Sequence, residues 1–132
     1  MPTADNHAQL ETEIKELFAG ICQAFGRLDI DAALSYFADD ADMVKISNGQ
    51  IMRGKNQLSD YWRKRLGNMH NLGITMENVE IHVIDDQHAW STADEYIASD
   101  GHTQKAIVSN ILIKTPRGWK ILLDHTTYLQ SP

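Results

Sequence analysis

A chain of 132 residues is long enough for one good hydrophobic core and too short for two. Its 12 basic and 18 acidic residues leave a net charge of −6, which disfavours a nucleic-acid backbone as partner. Apolar and charged fractions of 42% and 23% are those of a globular protein, not a disordered one.

The first residues, Met1 to His7, carry neither a basic n-region nor an apolar h-region, and no apolar run approaches a membrane span. A cytoplasmic protein without a membrane partner is therefore expected, with residues 1–7 frayed ahead of one domain over 8–132. Leu10, Ile14, Leu17, Phe18, Ile21, Phe25 and Leu28 recur at steps of three and four, one face of an amphipathic helix that Gly26 is placed to end. Cys22, the only cysteine, lies in this helix, where it reads as a small buried hydrophobe; an intrachain disulfide is excluded. Asp29 or Asp31 can cap a short second helix carrying Ala32, Ala33, Leu34, Tyr36 and Phe37, and Asp39-Asp40 breaks its apolar pattern.

Residues 43–46 form a short strand, Asn48-Gly49 is a two-residue hairpin turn, and residues 50–53 return. A third helix over 56–66 spaces Leu58, Trp62 and Leu66 by four residues; its basic run Arg63-Lys64-Arg65 reads as a solvated face. Four long strands follow at 74–84, 89–98, 102–114 and 119–129, turned at Asp85-Asp86, Asp100-Gly101 and Thr115-Pro116-Arg117-Gly118. In the first of them, strict alternation puts Val79, Ile81 and Val83 on one face and Ile74, Met76, His82 and Ile84 on the other.

Hairpin register then distributes the remaining side chains. Pairing Thr115 with Gly118 sets Asn110 opposite Leu123 and Val108 opposite His125. One face collects Ala106, Val108, Asn110, Leu112, Ile121, Leu123 and His125, and pairing Ser99 with His102 adds Ser91, Ala93 and Glu95. That face is apolar with a few polar groups, as a pocket wall is. The other carries Trp90, Thr92, Asp94, Tyr96, Lys105, Ser109, Asp124, Thr126 and Tyr128, and suits a covering partner, a second copy of the chain. The expected fold class is α+β: a cone, its strongly curved and mostly antiparallel sheet wrapped around the three helices of the first half.

Two stretches carry a family resemblance. Tyr36-Phe37-Ala38-Asp39-Asp40-Ala41 and Gly118-Trp119-Lys120-Ile121-Leu122-Leu123-Asp124-His125-Thr126-Thr127, in this order of elements, resemble the nuclear transport factor 2-like superfamily. The likeness is strongest to its SnoaL-like and ketosteroid-isomerase-like branch, and the final stretch is also similar to the calcium/calmodulin-dependent kinase II association domain. The resemblance implies the cone fold and admits isomerases, cyclases, dehydratases, epoxide hydrolases, transport factors and assembly domains, among which fold alone does not choose. Aligned without gaps on Phe37-Ala38-Asp39-Asp40-Ala41, the isomerase's catalytic Asp falls at Lys45 and its oxyanion-hole Tyr near Ile21, which disfavours ketosteroid isomerisation.

Candidate chemistry centres on three residues. His125, on the apolar face, suits a general acid or base; the competing reading is a core histidine bonded to a backbone carbonyl or to Asn110. Asn110 would orient a ligand carbonyl or partner His125, and either role sets the two close together. Of the adjacent Asp94 and Glu95, the register turns Glu95 inward, where a carboxylate is a base with a raised pKa unless it pairs with Lys105 at an edge. Tyr36, Trp62, Val108 and Leu123 are the candidate ligand-binding residues, although helix aromatics such as Tyr36 and Trp62 are more often core. Asp124 points away from His125 and reads as an interface or backbone-tethering residue. The six histidines lack ligand spacing, and no phosphate loop, nucleophile elbow or dinucleotide fingerprint occurs, so no metal and no cofactor are expected. The expected function is small-molecule binding in the cone, with isomerase, cyclase or dehydratase chemistry; the alternative is a non-catalytic binding or association module.

Overall fold

A computed structural model describes residues 4–129 of the chain. It contains helices α1 (Ala4–Gly26), α2 (Ile30–Leu34) and α3 (Gly54–Leu66), and strands β1 (Val44–Ser47), β2 (Gln50–Arg53), β3 (Gly73–Asp85), β4 (His88–Ser99), β5 (His102–Thr115) and β6 (Gly118–Tyr128). The segment expected to fray lies partly outside the described residues, and from Ala4 onward it is the first turn of α1.

Local chemistry sets most boundaries. The chain leaves α1 through Leu28 in the left-handed region (φ 54°), with the Asp29 amide donating back to the Ala24 carbonyl at 3.0 Å. Asp29 then caps α2, its carboxylate accepting from the Ala32 amide at 3.0 Å. Asn48-Gly49 and Asp100-Gly101 both take two consecutive positive φ values, the turn whose twist suits a tight hairpin.

The strands order as β2-β1-β6-β5-β4-β3 in one sheet, antiparallel throughout except for β1 against β6. Its concave face is built in rows. The innermost, Val83–Ala89–Leu112–Ile121, meets Ile14, Phe18, Phe37 and Trp62 in the core. Next comes Ile81–Ser91–Asn110–Asp124–Lys45, and two rows further out Met76–Glu95–Ala106–Tyr128. Trp62 anchors the helix layer, with Phe25 and Phe37 edge-on to it at 4.9 and 5.2 Å. No helix among the described residues is long and apolar enough to cross a membrane.

Two bulges correct the alternation read from the sequence. In β3, Glu77 pairs with Asp94 and Glu80 with Thr92, and Asn78 sits at φ 53°. The extra residue brings Ile74 and Met76 onto the same face as Val79, Ile81 and Val83, all packed on the core, while His82 and Ile84 point outward. In β6, Leu112 pairs with Ile121 but Ile111 with Leu123, so Leu122 is unmatched. Every residue after it changes face: Asp124, Thr126 and Tyr128 turn into the cone, and Leu123 and His125 turn out.

Candidate active site

Between α1, α3 and the concave sheet lies a cavity of about 170 Å³, partly open to solvent. By volume it is on the scale of a one-ring organic molecule. Phe18, Ile21, Phe25, Phe37 and Trp62 supply much of its apolar lining, and Lys45, Glu95, Asn110, Asp124, Thr126 and Tyr128 its polar side.

The sequence-predicted residues divide between this cavity and the outside. Glu95, Asn110, Trp62 and Val108 line it. His125 does not: it is exposed on the convex face opposite Ser109, because the Leu122 bulge moved it there. Leu123 leaves the pocket wall for the same reason. Tyr36 also lies elsewhere, in a shallow groove with Glu13, Leu17 and Trp119, its ring so close over Gly20 that a Cβ there would overlap the phenol. The position opposite Asn110 expected to hold His125's neighbour Leu123 is held by Asp124.

Asp124 does not tether an interface. It accepts from the buried Lys45 ammonium at 2.8 Å and from the Thr126 hydroxyl at 2.8 Å, and Lys45 also reaches Thr126 at 3.3 Å. Burial alone would push the Lys45 ammonium down, but the charge and hydrogen bond of Asp124 outweigh it and hold the pKa above its ordinary value. Lys45 is therefore a fixed cation inside the cone, and it exists there only because parallel pairing with β6 sets it beside Asp124. Lys45 and Asp124 were both visible in the sequence; what placed them was the parallel β1–β6 pairing, which local pattern does not reveal.

Glu95 has no such partner. Among the described residues its carboxyl receives no hydrogen bond and no ion pair. Burial, reinforced by the negative charge of Asp124 and opposed by Lys45, raises its pKa to about 7. It faces the thiol of Cys22 across the cavity closely enough that Glu95 adds to the burial holding that thiol up at about 11. Nothing pairs it with Lys105, which lies on the convex face and reaches Asp94 at 4.0 Å. The Asn110 side-chain oxygen is buried without a hydrogen-bond partner. Glu95 and Asn110 stand two inward rows apart, so they flank the cavity and do not touch.

The rim is built from α3 and the end of β6. Arg65 donates to the Tyr61 hydroxyl at 3.0 Å and lies 4.8 Å over the ring of Tyr128, and Tyr61 in turn donates to Ser47 at 3.3 Å. Burial raises the Tyr128 phenol, with Arg65 and Lys45 pulling against it. The arrangement sets a carboxyl of raised pKa, a fixed cation and an unsatisfied amide around one apolar space.

A family model described as a SnoaL-like domain matches residues 14–129. No curated protein matches the chain. Among solved structures it is similar to a candidate dehydratase of the NTF2-like family from Streptomyces avermitilis, at 19% identity over 95% of this chain and 99% of that one, with a TM-score of 0.83. A candidate aromatic ring hydroxylase from Novosphingobium aromaticivorans gives 19% identity, coverage of 94% and 92%, and a TM-score of 0.83. A candidate calcium/calmodulin-dependent kinase II association domain from Thiobacillus denitrificans gives 18% identity, 88% and 94%, and 0.72. At such identities the likeness speaks for the fold alone.

Proposed function

Because the chain belongs to the SnoaL-like domain family, within the NTF2-like superfamily, we propose that its cone binds a small carbonyl- or hydroxyl-bearing molecule and moves a proton on it. Glu95 carries this reading: a carboxyl at an apolar cavity wall, without a donor, holding its proton near neutral pH. Glu95 would take a proton from carbon next to a ligand carbonyl, or return one, which serves isomerisation, cyclisation or dehydration alike. Negative charge developing on the ligand oxygen would be met by the Lys45 ammonium, held in place by Asp124 and Thr126. The Asn110 amide would orient the oxygen. A solvated His125 on the convex face has no part in this.

The test is proton exchange. A panel of acetophenone, cyclohexanone and phenylacetaldehyde, incubated with the protein in D₂O and followed by ¹H NMR, should show protein-dependent exchange next to the carbonyl for at least one compound. Glu95→Gln should lower that rate by about 10²- to 10⁴-fold, the usual worth of a general acid or base. Compounds that bind but do not exchange would refute the catalytic half and leave a ligand-binding module. That second reading has its own support in Lys45, Asp124 and Thr126, which satisfy one another without a ligand. We also propose that two copies pair through the convex face of the sheet, where Trp90, Ile107 and Ile111 are exposed.

A further inference from the structure

We propose that the cone's ligand is an organic monocarboxylate, its apolar body in the cavity and its carboxylate seated on Arg65 at the rim; this rests on the cavity being a small-molecule site. Several of the chain's cations already have carboxylate partners. Lys45, inside the cone, is already paired with Asp124 at 2.8 Å. Arg63 pairs with Asp31 at 2.6 Å, Lys55 with Asp39 at 2.6 Å and Lys114 with Glu13 at 3.0 Å. Arg65 lines the cavity and, among the described residues, has no carboxylate within ion-pair distance. It belongs to the basic run that in sequence reads as a solvated helix face, and it is exposed at the rim, where two tyrosines hold it.

Those tyrosines also fix its orientation. Tyr128 stacks under the guanidinium at 4.8 Å, and Nη1 is engaged by the Tyr61 hydroxyl at 3.0 Å. Nε and Nη2 make no hydrogen bond among the described residues. They are the two parallel N–H directions that a carboxylate's two oxygens accept, a match a lysine ammonium does not reproduce. The Tyr128 hydroxyl, also lacking a hydrogen bond to any described residue, is a further donor in the cavity lining. Stacking restricts the guanidinium before the ligand arrives, so less freedom is lost on binding. One unpaired guanidinium matches one negative charge. The cavity's volume of about 170 Å³ limits the body to roughly one ring.

The experiment uses benzoate, phenylacetate and hydrocinnamate against their primary amides, titrated calorimetrically into the full chain at low salt. The expected result is that at least one acid binds at least tenfold more tightly than its own amide. Arg65→Gln, on the exposed side of α3, should abolish that preference by weakening the acid at least tenfold more than the amide. Arg65→Lys should recover only part of it, since charge returns without the fork. Acids and amides binding equally, or a preference that survives in Arg65→Gln, would overturn the proposal and leave the cavity reading standing. If neither acids nor amides bind, the monocarboxylate assignment falls, and the separate exchange panel of neutral carbonyl compounds decides whether the small-molecule reading falls with it. An identical far-UV circular dichroism spectrum for both variants keeps loss of fold out of the comparison.

Discussion

Glu95 carries its carboxyl into the cone with no donor to receive it, and the penalty falls on the ionised form alone. In the unfolded chain the group returns to an ordinary value near 4.5, whereas in the folded protein it stands at about 7. Below both values the carboxyl is neutral in either state and folding bears no cost from it. Between them the folded form keeps a proton that the unfolded form has released, so stability falls as pH rises through this window. Above about 7 the penalty is complete. From near pH 5 to near pH 8 the difference amounts to about 2 to 3 kcal/mol at 1.36 kcal/mol per unit. Glu95→Gln removes the titration, so its stability relative to wild type should rise by that amount over the same interval. Urea denaturation of both proteins at the two pH values measures it, and the other carboxylates cancel in the comparison. Parallel curves for the two proteins would mean that water or a protein donor already satisfies Glu95.

Single extra residues in two strands decide which side chains see the cavity. Asn78 occupies the left-handed region at φ 53°, and its side chain donates to Asp94 at 2.8 Å. A residue with a Cβ and no local hydrogen bond incurs about 1–2 kcal/mol in that conformation, while glycine incurs almost none. Asn78→Ala should therefore be less stable than Asn78→Gly by about 1–2 kcal/mol in equilibrium denaturation, although both lose the bond to Asp94. Equal stabilities would mean the bulge relaxes when the side chain is removed. The helices, the two Asx-Gly hairpins, the strand order along the chain and the inward faces of β4 and β5 were legible in sequence, since each rests on a local period or turn. Glu95, Asn110, Trp62 and Val108 line the cavity as that pattern predicts. The face of β6 beyond Leu122 was not. Ile121-Leu122-Leu123 is uniformly apolar, so alternation cannot register an extra residue there and gives His125 the side that Asp124 and Thr126 hold. The usable signal was longer in range. Lys45 and Asp124 are opposite charges whose burial makes sense only if β1 lies beside β6, a pairing set by topology.

The same β6 bulge that places Asp124 inside the cone gives the convex face its character, so one sheet serves two surfaces. Trp90, Ile111, Leu123 and Val44 stand in one outward row, and Ser109, His125 and Ile46 in the next. Trp90 is 41% exposed, Ile107 47% and Ile111 42%, more apolar surface than scattered single residues explain. His82 stacks on Trp90 at 4.0 Å and extends that surface to the edge of the sheet. Acidic Glu80 and Asp94 share the face with Lys105 and Arg53, and a face carrying both signs can complement itself under a two-fold rotation. The proposed occupant is a second copy, joined isologously, with each cavity opening on the far side of its own sheet. Ile107→Glu combined with Ile111→Glu would set four carboxylates, two from each copy, into such an interface. Sedimentation equilibrium should show a wild-type dimer at micromolar concentration and a dissociation constant raised by roughly 100-fold or more in the double variant, the effect expected when central apolar anchors are lost. Ligand binding should persist, because neither side chain faces the cavity. A wild-type chain that sediments as a monomer would instead leave Trp90, Ile107 and Ile111 to a different partner and separate the cone's chemistry from any assembly.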